Sequence, residues 1–245
     1  MKTLGLIGGL GPLATAIFLQ RIIEMTDAKT DQEHLDIIVF NRPDVPNRTD
    51  YLLDPNHHPS PLPSILQTAQ SLDRLGASCI AMSCVTAHVF ARQIQASLSV
   101  PLINMVTETA AYLKTMGVRC VGIAATTGTA RSGLFQQALR RQQIQSILPP
   151  VPHQALLMSL IYDQVKAGKP ANPEAFRQVS DALFAKGCEC IILGCTELSV
   201  LPRAYDLGDG FLDAMDVLAS RCIIRCDKPL KPAYQHLVRI RRHNE

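Results

Sequence analysis

The sequence predicts an α/β protein of two similar halves, each a mainly parallel sheet flanked by helices. Three observations carry this. Short apolar strands alternate with helical segments, the pattern of parallel sheets covered on both faces. One stretch recurs: Leu72–Cys84 aligns without a gap with Leu183–Cys195 at an offset of 111, with five identities in thirteen positions. The length of 245 residues accommodates two units of about 120 residues each.

The elements follow in order. Thr3–Gly8 is a short apolar run ending in glycines, read as a buried strand. Pro12–Met25 is an amphipathic helix with proline in its first turn, where the missing N–H does no harm. Leu35–Phe40 is a second strand, followed by the proline-rich loop Asn41–Thr49. Pro63–Leu75 is a helix stopped by Gly76, Ser78–Ser83 a strand, Ala87–Leu98 a helix and Pro101–Met105 a short strand. Glu108–Met116 is a helix stopped by Gly117, Val118–Ala125 a strand and Gly133–Gln142 a helix. Pro152–Ala167 and Pro173–Lys186 are helices, Cys190–Leu193 a strand, and Asp213–Arg225 the last helix. A second match, Gly5-Leu6 with Gly122-Ile123, needs an offset of 117, so the connecting loops of the two halves differ.

Composition narrows the function. At 47% hydrophobic and 18% charged residues, the chain has the apolar surface that disordered chains lack. The net charge of +3 is spread along the chain, which gives no footprint for nucleic acid. The basic end Arg239–His243 reads as a solvated tail. No window approaches the roughly 18 apolar residues of a membrane span. The apolar opening is broken by four glycines and Pro12 and runs into a helix, so it does not read as a leader. A cytoplasmic protein with its eight cysteines reduced is expected.

The repeat places a cysteine at the carboxyl end of a strand in each half, where open parallel sheets bind ligands. Cys84 precedes Val85-Thr86-Ala87-His88, and Cys195 precedes Thr196-Glu197-Leu198. A helix or turn starting there offers free N–H groups that favour a thiolate or a bound carboxylate. If the halves face each other, the two thiols flank one cleft. Two opposed acid/base groups suit inversion of a carbon stereocentre: one removes a proton from one face while the other adds one to the opposite face. A reference pKa of about 8.5 makes thiol and thiolate both accessible near neutrality. Cys79, Cys120, Cys190 and Cys222 read as buried apolar thiols. Cys188-x-Cys190 and Cys222-x3-Cys226 lack the paired spacing of a structural zinc site, so no metal is expected.

Five ordered motifs resemble the aspartate/glutamate racemase family. They are Gly5-Leu-Ile-Gly-Gly-Leu-Gly-Pro-Leu-Ala-Thr15, Asp31-Gln-x-His34, Pro46-Asn-Arg-Thr49, Cys84-x-Thr-Ala-His88 and Gly194-Cys-Thr-Glu-Leu198. The resemblance spans nearly the whole chain. It implies two pseudo-twofold-related domains with an interdomain cleft, no cofactor, a small amino-acid substrate, and a homodimer. The expected division is residues 1–105 with 210–245 as one domain and 106–209 as the other. The resemblance assigns Cys84 and Cys195 as the acid/base pair. It gives the substrate's α-carboxylate and amine to Thr86 and Thr196, its side-chain carboxylate to Arg48 and Lys166, and a place in the same cleft to Thr126. Gly9 and Gly11 of the opening motif join the substrate-binding set. His88 is expected beside the site rather than as a proton carrier, and Glu197 either orients Cys195 or a substrate amine or caps a turn.

One departure bears on substrate. The family motif reads Cys-Asn-Thr-Ala-His, whereas Val85 follows Cys84 here, and valine has no side-chain donor or acceptor. Asn47 replaces the family's Asp, a milder change. Racemisation of a dicarboxylic amino acid, aspartate ahead of glutamate, is the expected activity. A relative with hydantoin- or arylmalonate-type chemistry and a non-catalytic amino-acid-binding protein are the alternatives. Gly9-x-Gly11-x-x-Ala14 also fits a relaxed dinucleotide fingerprint, but the chain lacks the ribose-binding acid expected about 20 residues on.

Overall fold

Two four-stranded, all-parallel sheets with the same strand order form the protein. The computed structural model describes residues 2–241, so Arg242 and His243 of the expected basic tail lie outside the described residues. The first part runs β1 (Thr3–Gly8), α1 (Pro12–Met25), β2 (Asp36–Asn41), α2 (Arg48–Leu53), α3 (Leu62–Arg74), β3 (Cys79–Met82), α4 (Ala91–Ala96), β4 (Leu102–Ile103) and α5 (Met105–Thr115). The second runs β5 (Cys120–Ala124), α6 (Thr127–Ser132), α7 (Leu134–Arg141), β6 (Gln145–Ile147), α8 (Val151–Ser159), α9 (Pro173–Phe184), β7 (Cys190–Leu193), α10 (Leu201–Ala204), β8 (Phe211–Asp213) and α11 (Ala214–Arg225). The sheet orders are β2-β1-β3-β4 and β6-β5-β7-β8.

The two offsets read from the sequence meet in this register. Gly5 of β1 stands opposite Ile80 of β3, and Gly122 of β5 stands opposite Ile191 of β7. Both glycines are required by close packing. A Cβ on Gly5 would lie 2.9 Å from the Ala77 Cβ, and one on Gly122 3.0 Å from a Leu183 methyl.

The last helix of each half crosses to the other. Helix α5 leaves β4 of the first sheet and packs on α7; α11 leaves β8 of the second sheet and packs on α1; α5 and α11 also pack on each other. One continuous apolar cluster results, joining Leu6, Phe18 and Val106 to Phe135, Ile192 and Leu218. Phe211–Asp213 completes the second sheet beside β7, while α11 covers helices of the first part.

Several boundaries differ from the sequence reading, each for a local reason. The helix expected over 87–98 begins as a 3-10 turn, Thr86–Phe90, and becomes α-helical only at Ala91. Helix 133–142 has a forerunner: α6 is capped by Thr126, and Gly133 at φ 72° turns the chain into α7. Helix α2, absent from the sequence reading, is capped by Asn47, whose side chain accepts from the Thr49 and Asp50 N–H groups, a strong N-cap arrangement. The helix expected over 152–167 widens to a π-turn at Leu160–Val165, where the Lys166 N–H donates to Ile161 O, five residues back. Strands β6 and β8 are three residues long and gave no pattern to read.

Candidate active site

Cys84 and Cys195, each just beyond the carboxyl end of a central strand, wall one cavity of about 170 Å³ between the two halves. Both thiols are buried, and all eight cysteines are free. Of the residues expected to bind substrate, Arg48, Thr86, Thr126, Lys166 and Thr196 line the same cavity. Gly9 and Gly11 do not. They line an adjoining cavity of about 450 Å³ that shares Arg48, Lys166, Thr196 and Glu197 with the first.

The Gly9 turn is held from behind. Gly9 has φ 84°, and a Cβ there would lie 2.2 Å from the Arg42 backbone N. Its N–H donates to Thr15 Oγ1, which also reaches Gly11 O and the Ser83 hydroxyl. The opening motif thus braces the residue that precedes Cys84. On the far side of that thiol, His88 Nδ1–H donates to Cys84 O at 2.9 Å, and the Met105 N–H donates to His88 Nε2. Burial pushes the His88 pKa down to about 4. A neutral imidazole with both nitrogens bonded fixes the Cys84 turn to the start of α5 and lies outside the cavity lining.

A threonine cluster joins the halves. The Thr86 hydroxyl lies 2.8 Å from that of Thr129 and 3.3 Å from that of Thr126. Thr49 Oγ1 donates to Thr126 Oγ1 at 3.4 Å. Helices α2 and α6 approach so closely that a Cβ on Gly128 would lie 3.0 Å from the Thr49 Cα.

Arg48 is partly committed to its own loop. Its Nη1 donates to Val45 O and Pro46 O, and Nη2 donates to Leu10 O. The Nε–H is buried and has no partner among the described residues. A guanidinium has five N–H groups, so Nε–H and one Nη2–H remain.

The second thiol sits in a charged chain. Cys195 Sγ donates to Glu197 Oε2 at 2.9 Å, and Glu197 Oε1 accepts from Lys166 Nζ. Burial, then the Glu197 charge, pushes the Cys195 thiol pKa well up, against the opposing pull of the Lys166 ammonium. Burial alone would lower the Lys166 pKa. The Glu197 carboxylate, followed by the charge Cys195 carries as thiolate, outweighs it, and the Lys166 pKa is raised. Tyr162 completes the wall, its ring 5.7 Å from the Lys166 ammonium. Sequence reasoning left Glu197 undecided and missed Tyr162. The signal for Tyr162 was its position four residues before Lys166, one turn away on the same helix face.

Paired parallel-sheet units with a thiol from each on a shared cavity define a two-domain α/β class. The model of the Asp/Glu/hydantoin racemase family matches residues 7–222, and the chain belongs to that family, and with it to the isomerases. The broad specificity amino-acid racemase RacX of Bacillus subtilis is 25% identical over 203 residues, covering 81% of this chain and 86% of the relative. The structure of Picrophilus torridus aspartate racemase is 29% identical and matches with a TM-score of 0.84, covering 96% of this chain and 98% of that one. The glutamate racemase of Francisella tularensis, solved with D-glutamate, shares the fold at 17% identity and a TM-score of 0.66, covering 91% of this chain and 80% of that one. Among the described residues, no helix is long and apolar enough to cross a membrane.

Proposed function

We propose that the protein racemises a dicarboxylic amino acid, aspartate ahead of glutamate, by proton transfer between Cys84 and Cys195. The observation that carries this reading is the pair of buried thiols on one cavity, one from each half. In one direction the Cys84 thiolate takes the α-proton while the Cys195 thiol delivers its own to the opposite face of the carbon. The enzyme is left with a Cys84 thiol and a Cys195 thiolate, which run the reverse direction. Each proton removed is matched by one added, so the two thiols exchange roles with every turnover.

The remaining lining residues supply binding and charge stabilisation. The hydroxyls of Thr86, Thr126 and Thr196 meet the α-carboxylate and amine. The free Nε–H and Nη2–H of Arg48, with Lys166, meet the side-chain carboxylate. The Arg48 and Lys166 cations offset the Glu197 carboxylate and the Cys84 thiolate, and their N–H groups are donors for the substrate. Preorganised donors of this kind stabilise the carbanion-like transition state. A cavity of about 150 Å³ holds a molecule the size of benzene, so about 170 Å³ favours the shorter acid. A homodimer in a reducing cytosol completes the reading, in keeping with eight free thiols. Incubation of each enantiomer of aspartate and glutamate in deuterium oxide tests it. Exchange of the α-proton with loss of optical activity is expected for aspartate first, and no exchange with either acid would defeat the proposal.

A further inference from the structure

The thiol cavity does not end at its polar wall. Arg48, Lys166, Thr196 and Glu197 form one side of it and also floor the adjoining cavity of about 450 Å³. Beyond that floor the lining changes character. Leu13, Ala14, Ile17, Val165 and Val200 make it largely apolar, and Leu13 is 54% exposed at the start of α1. A large exposed leucine beside a cavity that opens off a catalytic pocket has no role in the core.

We propose that the outer cavity is a side-chain subsite, and that the protein accepts amino acids whose side chain is an N-substituted amide with an apolar group on the amide nitrogen. This rests on the racemase reading for the position of the α-carbon between the thiols. With the amino-acid head group in the inner cavity, a side chain longer than that of aspartate reaches the shared wall. That wall presents a donor beside an acceptor. The Lys166 ammonium has three protons, of which Glu197 takes one. Glu197 Oε1 has a second lone pair beyond the one facing Lys166, whereas Oε2 accepts from the Cys195 thiol and the Thr196 hydroxyl. A secondary amide matches this pair: its carbonyl accepts from Lys166 and its N–H donates to Glu197. The substituent on nitrogen then enters the apolar space between α1 and the Val165–Val200 side. A free carboxylate would use Lys166 and Arg48 but leave the outer cavity unfilled.

The test compares L-aspartate with Nβ-benzyl-L-asparagine on the full-length protein. Binding is read by saturation-transfer NMR and calorimetry, and turnover by α-proton exchange in deuterium oxide. Both compounds are expected to bind and exchange. Leu13→Trp, at an exposed position, and Ile17→Trp are each expected to weaken the benzyl amide at least tenfold more than aspartate. Failure of the benzyl amide to bind the unmodified protein overturns the proposal, as does an equal effect of the tryptophans on both ligands. If the amide binds and is displaced by Leu13→Trp while aspartate neither binds nor exchanges, the subsite stands and only the aspartate reading falls.

Discussion

Cys195 Sγ lies 2.9 Å from Glu197 Oε2, the only carboxylate within the lining of the thiol cavity among the described residues. Cys84 has no carboxylate hydrogen-bonded to its thiol among the described residues: its turn is held instead by His88 through the backbone carbonyl. Two thiols in equivalent positions of a repeat therefore have different surroundings. Together with burial, the Glu197 charge favours the protonated form of Cys195.

Replacing that charge moves the thiol. The Cys195 pKa is raised by burial and then by Glu197, so Glu197→Gln lowers it. In a Cys84→Ser background, the midpoint for alkylation of Cys195 by iodoacetamide is expected to fall to lower pH. Exchange of the substrate α-proton in the otherwise unmodified protein should slow by on the order of 10²-fold. An alkylation midpoint that stays put or rises would remove Glu197 from the account.

Lys166 stabilises the same chain. Its folded pKa is raised, so its contribution is full below the unfolded value and is lost as pH rises through the folded one. Lys166→Met leaves Glu197 buried without its ammonium, a change that costs about 3 kcal/mol when a buried pair is broken. Urea unfolding at pH 7 should show most of that loss. The gap between variant and parent should narrow at strongly alkaline pH.

Acid stability is set partly by His88 and Asp213, which act in opposite senses. His88 is depressed to about 4 by burial. The unfolded chain takes up the proton first, so stability falls as pH drops from about 6.5 toward 4. Asp213 is pushed up to about 7 by burial and by Asp216. The folded state keeps that proton longer, so stability falls as pH rises from about 4 to 7. His88→Asn should flatten the first slope and Asp213→Asn the second, measured as Tm against pH. A His88→Asn profile as steep as the parent's would contradict the buried neutral imidazole.

Val85 lines the thiol cavity where the racemase motif carries asparagine. Val85→Asn gives the wall a donor and an acceptor at a cost in apolar packing. The kcat/KM for aspartate exchange should rise several-fold. A fall with unchanged thermal stability would show that the valine is matched to a different substrate group.

Much of this was legible in the residues. The Leu72–Cys84 and Leu183–Cys195 match gave the two thiols, and the sheet orders place them at equivalent strand ends. Strand β1 and helix α1 have the predicted bounds because an unbroken apolar run and Pro12 mark them locally. What escaped was tertiary in origin. The exchange of α5 and α11 between the halves is a packing choice that no local pattern encodes. The commitment of Arg48 to Leu10 O, Val45 O and Pro46 O depends on a loop conformation. Helix α2 could have been found: Asn47 followed by Asp50 is a capping signature, hidden by the prolines around it.

The measurement that reaches the central claim most directly is α-proton exchange of L- and D-aspartate in deuterium oxide by the parent, Cys84→Ala and Cys195→Ala proteins, each checked for an unchanged Tm. The two-thiol account predicts exchange of both enantiomers by the parent and loss of racemisation in either variant. Racemisation that survives in the Cys84→Ala, Cys195→Ala double variant would contradict it.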